Sequence, residues 1–145
     1  MIEVRENEFA TVEIDRAGHL AKLIRKPIAM TVERLERVVE EFQLFVPLRE
    51  RPRLVLLQDM RAAPLMRDEA VERALLEASP RLFAKFAARA LLLATPVGRL
   101  QANRFMARPG LSGPDHRVFL DEAEAVLWVR AEAAKVAASL ALKSR

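Results

Sequence analysis

Four consecutive apolar residues, Leu54, Val55, Leu56 and Leu57, stand between Arg53 and Gln58. A run so short and continuous has no wet side, so it reads as a strand buried on both faces, as central parallel strands are. The segment before it has a different period. Val32, Leu35, Val38, Val39, Phe42 and Phe45 recur three and four apart, one face of a helix that Thr31 can cap. Glu33, Arg37 and Glu41 line its wet face, and Pro47 and Pro52 bracket the exit. After the strand, Asp68 can cap a helix with Val71, Ala74, Leu75 and Ala78 inward. Ser79-Pro80 is expected to break or restart that helix, and Leu82, Phe83 and Phe86 continue its apolar face.

The alternation then repeats. Residues 90–94 read as a second buried strand, and Thr95-Pro96 opens a helix with a cap and a proline at its first position. Residues 109–114 form the most loop-like stretch, and Val118, Phe119 and Leu120 read as a brief strand. Asp121 and Glu124 make a capping box for a last helix. Its expected core face is Val126, Leu127, Val129, Val136 and Leu140, with Trp128 as a core anchor. At the other end, Val4, Ala10, Val12 and Ile14 alternate with charges at strand spacing. Asp15-Arg16-Ala17-Gly18 is a turn with glycine where a positive φ is tolerated, and residues 20–25 return. The first five residues can add an edge strand. The whole predicts an α/β fold in one domain, residues 1–145. An N-terminal hairpin (10–25) precedes βα repeats (31–140), in a mixed, mostly parallel sheet of four to five strands with about four helices.

Exclusions follow from composition. The chain has no cysteine, so disulfides, thiolate metal sites and a cysteine nucleophile are ruled out. The longest uncharged run, residues 90–98, has nine residues against the ~18 that a membrane span needs. The start, MIEVREN, is charged at once and shows no apolar signal region, which suits a cytoplasmic protein of bacterial type. The net charge is +4, and 19 of the 24 basic residues are arginine, as a GC-rich genome favours. Residues 79–120 carry seven basic residues and one acid, a net +6, while the other 103 sum to −2. Such asymmetry can mark a face for an anionic partner.

Catalytic and metal motifs are sparse. The two histidines, His19 and His116, have no ligand spacing, and neither a phosphate-cradling glycine loop nor a nucleophile elbow is present. Ser112, Asp115 and His116 share one loop and support hydrolysis only weakly. No cofactor and no metal is expected. One constellation stands out: Asp59, Arg61, Arg67 and Asp68 at or beyond a central strand end, with Arg99 in the first turn of the next helix. Ligands of open α/β sheets gather at the carboxyl ends of strands, where helix N-termini favour anions. The cluster reads either as an Asp–Arg network fixing two loops or as an edge for an anion or partner. Arg104 and Arg108 extend that edge.

Several segments resemble the SpoIIAA-like, or STAS, family, in particular a bacterial STAS/SEC14-like group. They are LVLLQD ending at Asp59, the loop RAAP, ALLLATPVGRLQANR and VFLDEAEAVLWV, and the likeness covers about residues 10–140. Anti-sigma-factor antagonists of that family carry Asp-x-Ser after the central strand, and a partner kinase phosphorylates the serine. Here Asp59 matches the aspartate, but Arg61 stands at the serine position and offers no hydroxyl.

The resemblance implies a non-enzymatic regulatory or protein–protein interaction module, not switched by serine phosphorylation. Its partner would be another protein with an acidic surface, or a second copy in a homodimer. A toxin-neutralising immunity protein is a special case. The alternative is an anion, lipid or nucleic-acid binder using residues 79–120, with nucleic acid disfavoured because Phe83, Phe86 and Phe105 fit core spacing rather than a stacking platform. A hydrolase ranks last.

Overall fold

A computed structural model describes residues 1–108 and 115–144, except the side chain of Asp115. The glycine- and proline-rich stretch 109–114, with Ser112, lies outside the described residues, so the Ser112–Asp115–His116 grouping does too. The elements in chain order are β1 (Glu3–Glu6), β2 (Ala10–Asp15), β3 (Leu20–Arg25), α1 (Val32–Phe45) and β4 (Val55–Asp59). Then come α2 (Glu69–Phe83), β5 (Ala88–Leu92), α3 (Pro96–Met106), β6 (Asp115–Phe119) and α4 (Glu122–Lys143). A single 3-10 turn, Arg51–Arg53, leads into β4.

All six strands form one sheet, in the order β1-β2-β3-β4-β5-β6. The first three are antiparallel, and β3 through β6 are parallel. The expected four to five strands become six because the edge strand β1 pairs along its full length with β2. Its charged residues, Glu3, Arg5 and Glu6, keep that edge from pairing further.

Strand order equal to chain order has a geometric consequence. Each crossover moves one strand in the same direction, so right-handed connections place α1, α2 and α3 on one face. Among the described residues, only α4, after the last strand, covers the other. The first face packs Leu56 and Ile14 against Leu35, Val39 and Phe42 of α1 and Ala78 and Leu82 of α2. The second packs Val55, Leu57, Ala88 and Ala90 against Ala125, Val129 and Ala133 of α4. α4 packs chiefly on β4, β5 and β6, so β2 alternates buried with half-exposed residues, whereas β4 and β5 are buried throughout.

Several sequence expectations shift. β5 begins at Ala88 rather than Ala90, since the small Ala88 and Ala90 are what α4 can approach. α2 runs unbroken through Ser79-Pro80 to Phe83. Burial of Ala78, Ser79 and Leu82 outweighs the missing proline N–H, and the Ser79 hydroxyl donates to the Leu75 carbonyl. Gly18 does not supply the positive φ of the hairpin turn; His19 does, at 57°. A Cβ at Gly18 would meet only the end of the Asp15 side chain, whose carboxylate accepts the Gly18 N–H and would have to swing aside. Asp68, Thr95 and Asp121 cap their helices as expected, but the Thr31 side chain makes no cap bond. Trp128 is half-buried beside Phe119, and Leu127, expected inward, faces out at 69% exposure.

Candidate functional site

The end of β4 divides its two polar residues between the faces. Asp59 continues the α4-side face of Val55 and Leu57, and Gln58 continues the opposite face of Leu56. Two residues on, Arg61 folds back on Asp59 in a fork: Nε donates to Oδ1 at 3.0 Å and Nη2 to Oδ2 at 2.8 Å. The Arg61 N–H also donates to Oδ1, and Nη1 reaches Glu122 of α4 at 3.0 Å. Side-chain bonds from Arg61 hold the Asp59 carboxyl below the usual carboxylate range, over the opposing effect of burial. The same bonds raise the Arg61 pKa. Two carboxylates therefore fix this guanidinium, and it ties the β4 loop to the start of α4.

The rest of the predicted constellation does not join it. Asp68 spends its carboxylate on the α2 terminus, accepting from Ala70 N–H at 2.9 Å and Val71 N–H at 3.4 Å. Arg67 is exposed and has no carboxylate partner among the described residues. Arg99 lies across the sheet end, in an open cleft with Asn103, Arg117, Asp121 and Glu124. Arg104 is exposed on α3, and Arg108 pairs with Glu72 at 2.7 Å. The basic stretch 79–120 is likewise not one face. Arg81 binds Glu36, Arg117 stacks over Trp128, and Arg89 is buried. α3 and α4 leave the carboxyl ends of β5 and β6 for opposite faces, and the open cleft between them takes in Arg99 but neither Asp59 nor Arg61.

Sequence reasoning missed a different place. Between α2, α3 and the first sheet face lies a cavity of about 190 Å³, lined by Gln58, Met60, Leu75, Phe83, Leu91 and Phe105 among others. Its wall includes Arg89, 4% exposed. The Arg89 guanidinium lies 4.2 Å from the Phe83 ring centre, donates from Nε to Gln58 Oε1 at 3.1 Å, and meets the Met106 sulfur from Nη2 at 3.8 Å. No carboxylate pairs with it among the described residues, and burial pushes its pKa down to about 10. Arg25 lines the same cavity and donates to the carbonyls of Phe9 and Ile28. The signal was an arginine between Ala88 and Ala90, one alanine ahead of three leucines.

Among the described residues, no three histidine, aspartate or glutamate side chains come together as metal ligands. No helix there is long and apolar enough to cross a membrane. No family model matches the sequence. No curated protein matches it either. The fold does have a solved counterpart, the crystal structure of an uncharacterised protein of the DUF3478 family with a SpoIIAA-like fold, from Shewanella loihica PV-4. The likeness covers 89% of this chain and 92% of that one, at a TM-score of 0.53 and 16% identity. The chain therefore has a SpoIIAA-like fold, as its sequence segments suggested.

Proposed function

We propose that this chain is a non-enzymatic interaction module that docks on an acidic surface of another protein and is not switched by phosphorylation. The outer side of α3 carries the reading. Val97 and Leu100 stand 63% and 58% exposed, beside Arg99 and Arg104. Neither arginine has a carboxylate partner among the described residues. Exposed apolar side chains flanked by unpaired guanidiniums suit a partner that brings carboxylates around an apolar centre. Phosphorylation has no acceptor at the family's switch position. No Ser, Thr or Tyr lies between Asp59 and Asp68, and Arg61 is committed to Asp59 and Glu122.

Photo-crosslinking in cells tests the reading, with the reactive side chain at position 100 or, as a control, at Leu127 on α4. The expected result is one protein adduct at position 100, absent at 127 and lost when Arg99 and Arg104 both become Glu. Equal adducts at both positions, or an adduct indifferent to the charge reversal, would remove the α3 face as the docking surface. Capture of a second copy at position 100 makes the partner a homodimer.

A further inference from the structure

The far edge of the sheet is a different place from the cavity beside Arg89. We propose that the open edge of β6 takes an extended acidic segment of the partner as a further strand, with its carboxylates on Arg99 and Arg117. The proposal takes from the α3 reading only the acidity of that partner.

The backbone sets the mode. β6 pairs with β5 on one side and with no other described strand. The Phe119 carbonyl accepts from the Leu93 N–H, so Phe119 and, two residues back, Arg117 spend their backbone groups on β5. His116 and Val118 alternate with them and turn their N–H and carbonyl groups outward, where no backbone group among the described residues bonds them. The two edges of the sheet also differ. β1 carries Glu3, Arg5 and Glu6, whereas Val118, Phe119 and Leu120 at the close of β6 are uncharged. A charged edge resists a further strand, and an apolar one accepts it.

Charge sets the occupant. Arg99 and Arg117 line one open cleft at this edge, and neither has a carboxylate partner among the described residues. Arg117 lies on the α4 side of the sheet, level with Ala90, and Arg99 on the α3 side. Asp121 and Glu124 line the same cleft, but Asp121 is spent on the α4 cap, accepting the Glu124 N–H at 3.1 Å. Glu124 alone thus stands against two guanidiniums, and each guanidinium matches a carboxylate in a two-bond fork. Neighbouring residues of an extended segment point to opposite faces, so two adjacent acids reach both arginines at once. Other occupants fit less well. A phosphate backbone brings the charge but no N–H for the outward carbonyls. A second copy, paired so as to use both outward residues, sets His116 opposite Val118 and Arg117 opposite its own copy, like charge on like.

Fluorescence anisotropy on the full chain tests the proposal. The probes are a labelled peptide Val-Glu-Glu-Val-Glu-Glu-Val, its lysine counterpart, and the glutamate peptide methylated on every amide nitrogen, which keeps the charge and removes the donors. The glutamate peptide is expected to bind saturably and at least about tenfold tighter than either other probe, the worth of one charge-assisted bond or a few neutral ones. Val118→Pro removes an outward N–H that the sheet does not use, so it should keep the fold and weaken the peptide by about fivefold. Arg99→Glu together with Arg117→Glu should weaken it by at least about tenfold. No saturable binding, equal affinity for the methylated peptide, or affinity unmoved by these variants would overturn the proposal. So would a dimer of the unaltered chain that Val118→Pro dissociates, since the edge would then belong to a second copy. Should Val118→Pro fail to fold, the methylated peptide on the unaltered chain decides. An adduct at position 100 without peptide binding overturns the edge alone, and peptide binding without that adduct overturns the α3 surface alone.

Discussion

Among the described residues, two arginines without a carboxylate partner are buried on the first face, and they are held differently. Arg51, in the 3-10 turn before β4, is fully buried. It lies between the rings of Phe42 and Phe86, at 5.3 and 5.1 Å, and donates to the carbonyls of Val46 at 3.0 Å and Ala84 at 3.3 Å. It thereby pins the end of α1 to the end of α2. Arg89 also stacks on a phenylalanine but grips no backbone carbonyl; its partners are one side-chain amide and one sulfur. Burial lowers both to about 10, so both stay charged at neutral pH. The comparison separates a charge used as a structural clamp from a charge kept beside open space.

Substitutions can break that distinction. The largest effect is expected at the clamp. Arg51→Ala leaves two buried carbonyls unsatisfied and a hole between two rings, so chemical denaturation should register a loss of ~3–5 kcal/mol. A loss under 1 kcal/mol would erase the difference between the two sites. Leu56→Ala, a pure packing change on the shared face, supplies the yardstick at ~2–5 kcal/mol. If the clamp falls far below it, Arg51 is no clamp.

Next comes Arg61→Ala, expected to cost about 1–3 kcal/mol by stripping the nearly buried Asp59 of its two guanidinium donors. This loss carries a pH signature. The folded Asp59 pKa lies below its unfolded value, so its contribution is present above the ordinary carboxylate range and disappears as pH falls through the lower, folded value. Stability profiles of parent and variant should therefore converge at acid pH. Parallel profiles would mean that Arg61 stabilises through Glu122 or packing alone.

The smallest effect is expected at Arg89. Methionine fills a similar volume without a charge to desolvate, so Arg89→Met should change stability by no more than ~1 kcal/mol and can raise it. A loss as large as that of Arg51→Ala would show that Arg89 too is a clamp.

Much of the architecture was legible because period and capping are local signals. Asp68, Thr95 and Asp121 mark helix starts within a residue, and the apolar run around Leu56 marks the central strand. Tertiary contacts overruled local rules elsewhere. α2 absorbs Pro80 because its inward side is already buried, and β5 starts two residues early because α4 needs alanines beneath it. Leu127 reads as core by type but faces away, since the α4 stripe follows Ala125, Val129 and Ala133. At the candidate site, the pairing of Asp59 with Arg61 followed from two residues of separation. Its failure to gather Arg67, Asp68 and Arg99 did not, because that depends on which strand lies beside which. By composition Arg89 is one more basic residue of the stretch 79–120; only the register of β5 against β4, with Arg89 opposite Leu56, puts it indoors.

A sheet whose spatial order matches its sequence order also has a kinetic meaning. Every strand from β2 onward finds its partner in the strand made just before it, so each pairing closes a short loop and none waits for a later segment to slot between two others. A chain emerging from its amino terminus can add one strand at a time to a single growing edge. Each new strand covers the backbone donors and acceptors its predecessor left bare, so the interval in which a foreign strand could pair there is short. The final helix, α4, then closes the second face, and until it docks Val55, Leu57, Ala88, Ala90 and Leu92 have water on that side.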